Sequence, residues 1–119
     1  MNPDYHSVAQ SAYVFADTFI RYSQTPPTAT LEDYTRTEAS LKSWLFENST
    51  VADDEVLRMV RELILDSRNF VKMCSNRSIF DCAGGRPTEK LLHDFTNDQQ
   101  KKVDDLSGHI RSIAKKSDA

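Results

Sequence analysis

Apolar side chains return every three or four residues through four separate stretches of this chain. That spacing collects them on one face of an α-helix and scatters them over both faces of a strand. It therefore argues for helices before composition is considered. Composition agrees, since only 3 Gly and 4 Pro interrupt 119 residues, and long stretches lack either. The expected fold is all-α: one domain over 1–119, a four-helix bundle with a long C-terminal helix. The helices are expected over about 3–23, 31–47, 53–75 and 87–115.

In the first stretch, Tyr5, Val8, Ala12, Phe15, Phe19 and Tyr22 form the line, and Ala9, Tyr13, Ala16 and Ile20 widen it. Pro3 suits the first turn, where its missing N–H would be unpaired anyway. Rings at helical spacing pack inside as a rule, and Tyr13 is the one best placed to meet a partner. Pro26-Pro27 ends the helix, and Thr30 with Asp33 caps the next. The second line is Leu31, Tyr34, Glu38, Leu41 and Leu45, with Trp44 beside it. A carboxylate on an apolar line needs the rim or a partner. The rim is the simpler expectation; a buried pair with a cation of another helix is the sharper one.

The third line is Val56, Val60, Leu63, Ser67, Phe70 and Cys74, and the opposite face carries Arg58, Arg61, Arg68 and Lys72 together with Asp54. Such a ridge is ordinarily a solvated face, and less often a site for an acidic partner. The fourth line is Leu92, Phe95, Gln99, Val103, Leu106, Ile110 and Ile113. It is narrow, like a coiled-coil seam, with Gln99 interrupting it and Gly108 weakening it. A long helix with such a seam is expected to reach beyond its own bundle and meet a second copy. A homodimer on this seam or on the aromatic first helix is therefore expected.

Charge narrows the partners. The net charge is −3, with 4 basic and 9 acidic residues in 1–60 and 11 basic and 9 acidic in 61–119. That balance argues against nucleic acid. No window is apolar enough to span a membrane, and the first ten residues do not read as a signal peptide. Two cysteines are too few for a disulfide scaffold, so a cytoplasmic setting is expected.

The chemistries are sparse. Glu89 and His93 lie a turn apart on the fourth helix, but they lack the Glu-x-x-His spacing of a di-metal bundle. Cys74 and Cys82 have no second pair for zinc, so no metal and no cofactor are expected. Cys82 lies near Arg86 and a helix start, a setting that can activate a thiol. No nucleophile elbow or Walker loop is present, and the chain is expected not to be an enzyme. Gly84-Gly85-Arg86 before a helix is a weak anion signal, because glycine there is ordinary punctuation.

Ile79 and Phe80 fall outside every helical line, framed by Arg77, Asp81 and Arg86. This make-up resembles a contact hot spot on a connector. The leading expectation is a non-catalytic protein-binding regulator that occludes or modulates another protein, such as a transcription-factor antagonist or an immunity-type inhibitor. Its partner contacts would be Tyr13, Ile79, Phe80, Arg86, Val103, Leu106 and Ile110. The alternative is a small-molecule or anion-binding sensor with Tyr13, Phe15 and Trp44 around a pocket and Glu38 fixing the ligand.

Overall fold

The computed structural model describes residues 3–75, 82–83 and 86–117, without the side chains of residues 75, 82, 83 and 117. Four helices are present: α1 (Tyr5–Ser23), α2 (Leu31–Asn48), α3 (Asp54–Ser75) and α4 (Glu89–Ser117). A short antiparallel ribbon, β1 (Cys82–Ala83) with β2 (Arg86–Pro87), precedes α4.

Side-chain caps set the helix starts. Asp4 Oδ1 accepts from Ser7 N–H at 3.0 Å, so Asp4 is the cap and Pro3 stands outside the first turn it was expected to occupy. Thr30 and Asp33 form a reciprocal capping box at 3.0 and 3.1 Å. Asp53 Oδ1 accepts from Glu55 and Val56 N–H at the start of α3. Thr88 Oγ1 accepts from Leu91 N–H and starts α4. Pro87, expected as the first helical residue of α4, sits in the ribbon instead, opposite Cys82.

The helices run alternately up and down. The Trp44 indole near the end of α2 donates to Asp4 O beside the start of α1 at 3.1 Å. His109, late in α4, meets Asp53 before α3 at 2.9 Å. Phe19, late in α1, packs on Phe95, early in α4, with ring centroids 5.2 Å apart. The core is closed by Val8, Phe15, Phe19, Leu41, Val56, Val60, Leu63 and Leu106, all fully buried. Phe19 also meets Tyr34 and Phe70, and Phe70 stacks on Phe95 at 4.2 Å. Rings in tilted and offset contact add to the burial itself.

Two polar side chains sit within this core. Gln99 and Ser67 are buried, and Gln99 Nε2 donates to Ser67 Oγ at 2.9 Å. The interruption in the seam of α4 thus meets the serine on the stripe of α3. Gln99 Oε1 finds no hydrogen-bond partner among the described residues.

Glu38 follows the sharper of its two expectations. Its side chain is 11% exposed, and Oε1 accepts from Arg68 Nε at 3.1 Å and pairs with Lys42 at 2.9 Å. Burial pushes the Glu38 carboxyl up, but the hydrogen bonds from Arg68 and Lys42 outweigh it and hold the group below its ordinary range. Burial, and then the negative charge of Glu38, push the Tyr34 phenol well above its ordinary range.

Candidate functional site

At one end of the bundle, the start of α1, the α2–α3 connection and the last turns of α4 converge. Polar ties fix them. Asp53 N–H donates to Tyr5 Oη at 3.0 Å, which joins α1 to the α3 start. Asp53 Oδ1 accepts from His109 Nε2 at 2.9 Å, which joins α4 to the same point. The His109 hydrogen bond, with backbone hydrogen bonds from Val56 and Glu55, outweighs partial burial and holds the Asp53 carboxyl below its ordinary range.

Beside these ties lies a groove of about 700 Å³. Tyr5 and Ala9 form one wall, Ile110 and Ile113 the other, and Val51 closes the end. His6 and Arg111 stand on its rim. The groove exists because α4 is long. Its 29 residues extend about 43 Å, against about 28 Å for the 19 residues of α1. Leu106 is the last residue of the seam to be fully buried, and Ile110 and Ile113 are only half covered.

A neighbouring cleft of about 480 Å³ brings together Asp53, His109 and Ser112. These are the residue types of a hydrolytic triad, but their bonding is different. The Ser112 hydroxyl donates to Gly108 O at 3.2 Å, and the Asp53 carboxylate is already shared with two backbone amides. The pair acts as a helix tie. The sequence analysis did not pair His109 with Asp53, because 56 residues separate them.

The expected contact residues are dispersed. Tyr13 is 59% exposed on the outer face of α1. Ile110 lies in the groove. Val103 and Leu106 are buried in the chain's own core, which corrects the expectation that they face a partner. The physical reason is that the α4 seam packs on α1 and α3 as far as Leu106. Arg86 is likewise occupied: its guanidinium donates to Tyr22 O at 2.9 Å and lies 5.8 Å from the Tyr22 ring centre. It ties the ribbon to the end of α1. Ile79 and Phe80 lie outside the described residues, as does the framing pair Arg77 and Asp81. The ring set of the sensor reading does not assemble, since Phe15 and Trp44 are buried and Tyr13 is exposed.

Among the described residues, no group of three or more His, Cys, Asp or Glu could hold a metal ion, and no helix is long and apolar enough to cross a membrane. No family model matches the chain, and neither a curated protein nor a solved structure is significantly similar to it.

Proposed function

We propose that this chain is a non-catalytic protein-binding regulator that takes an apolar element of another protein into the groove between α1 and the end of α4. One observation carries the reading. The apolar line of α4 continues through Ile110 and Ile113 after its own bundle has stopped covering it fully. Half-covered apolar side chains beside a polar rim of Asp4, His6 and Arg111 fit the helix-in-groove mode of recognition. In this reading the protein works in the cytoplasm by occluding its partner, and a second copy of the chain is the competing occupant of the groove.

The sensor alternative has less support. A cleft of about 800 Å³ lies at the other end, lined in part by Ile20, Thr28, Leu92 and Thr96. Two of its hydroxyls are already engaged: Thr28 donates to Gln24 Oε1 and Thr96 to Leu92 O.

The test uses tagged wild-type chain and the variant Ile110→Glu as baits in a lysate of the source cells. The expected result is a stoichiometric protein recovered by wild type and lost by the variant, with helicity unchanged by circular dichroism. The same proteins recovered by both baits would overturn the groove as the contact.

A further inference from the structure

On its outward face, α3 carries Arg58, Arg61, Leu65, Arg68 and Lys72, in steps of three, four, three and four, with Asp54 one turn before Arg58 at the helix start. That alternation draws one straight line along a helix, and these five residues cover about 21 Å of it. Four are cations, and the one at the centre is a leucine that is 55% exposed. Two of the cations are answered within the chain. Arg58 pairs with Glu55 and Glu62, and Arg68 pairs with Glu38. Arg61 and Lys72 are exposed, and among the described residues no acid lies within ion-pair distance of either.

We propose that this line is a docking surface for an acidic amphipathic helix of another protein, with Leu65 as the apolar anchor and Arg61 and Lys72 as the pairing cations. Charge complementarity selects the occupant. Leu65 lies between Arg61 and Arg68 on the line, so a helix that pairs with the cations also covers its exposed side chain. The line is straight and about three turns long, which fits a helix laid alongside it. The chain as a whole carries a net charge of −3, so an extended polyanion meets repulsion beyond this ridge. None of the five residues lines the α1–α4 groove, so this surface is independent of the function proposed for the groove.

The test is fluorescence anisotropy on the full chain. The probe is a labelled alanine-based helical peptide of about six turns, with Glu opposite the four cations and Leu opposite Leu65. The control peptide carries Lys in place of each Glu. The expected result is saturable binding of the Glu peptide only, weakening steeply as salt rises. Arg61→Glu with Lys72→Glu, and separately Leu65→Glu, should each weaken it at least about tenfold. Ile110→Glu should leave it unchanged. All four substitutions are at exposed or half-exposed positions, and circular dichroism checks that each of the three variants folds. Absence of binding, equal binding of the Lys peptide, or indifference to the α3 variants would each overturn the proposal. So would tighter binding of duplex DNA or anionic vesicles than of the Glu peptide.

Discussion

The two ends of the bundle are held by different chemistry. Near the ribbon, Phe19, Phe70 and Phe95 meet ring to ring, with Tyr34 against Phe19. At the far end, Asp53, His109, Tyr5 and Trp44 make single hydrogen bonds between elements, while Ile110 and Ile113 remain half covered. Apolar contact accumulates over many atoms, whereas each polar tie contributes little net free energy and mainly sets position. The ring end is therefore expected to carry the stability, and the groove end to carry geometry.

The sharpest way to break this contrast is Phe19→Ala. It removes a ring in contact with three other aromatic residues and should cost about 3–5 kcal/mol in urea-induced unfolding. A loss below about 1 kcal/mol would mean the ring cluster is not the main support. At the other end, Asp53→Ala removes a helix cap and the His109 tie, and should cost about 1 kcal/mol. Native-state hydrogen exchange should show that loss concentrated in the first turn of α3 and the last turns of α4.

Acid distinguishes the ties from the rings. Asp53 and Glu38 are both held below the ordinary carboxylate range in the folded chain. The unfolded chain therefore binds these protons more readily. The stabilisation is complete above the ordinary carboxylate values, about 4, and is lost as pH falls through the lowered folded values. Stability measured from pH 6 downward should fall below about pH 4, and less steeply in Asp53→Ala and Glu38→Gln than in wild type. An unchanged acid limb in both variants would remove these carboxylates as its source.

Two smaller effects refine the picture. Gly108 lies in α4 beside the groove, and a methyl group there would meet only Arg111 Nη2, at 3.9 Å. Gly108→Ala should stabilise the chain by about 0.5–1 kcal/mol by thermal unfolding, and a loss of stability would reveal a closer contact there. Tyr13→Ser, on an exposed position, should change stability by less than about 0.5 kcal/mol.

Most of the fold was legible because the caps and the three-and-four spacing are local. Thr30 with Asp33, and Asp53 before an apolar line, mark helix starts without knowledge of any neighbour. What one line of residues lacks is how the helices sit against each other. Gln99 on one stripe and Ser67 on another were each visible as departures, but their meeting depends on the register of α4 along α3. The same gap hid the pairing of Glu38 with Arg68 and of Asp53 with His109. It also made Val103 and Leu106 look available to a partner, when α1 and α3 already cover them. The ribbon was missed for a local reason: Pro87 reads equally well as a helix start and as an edge residue of a short strand.

The Gln99–Ser67 pair also shapes how this sequence can drift. Replacing Ser67 alone strips the buried amide of its 2.9 Å hydrogen bond, and replacing Gln99 alone leaves a hydroxyl short of a partner. Each single step should cost about 1–3 kcal/mol, while an apolar pair of matching shape would be nearly neutral. The two positions are thus separated from a plain hydrocarbon core by a fitness valley that must be crossed in a pair of changes. A lineage that did cross it would lose a buried directional contact inside the α3–α4 interface, leaving the part-buried Lys102–Asp66 pair to oppose slippage of α4 by a helical turn.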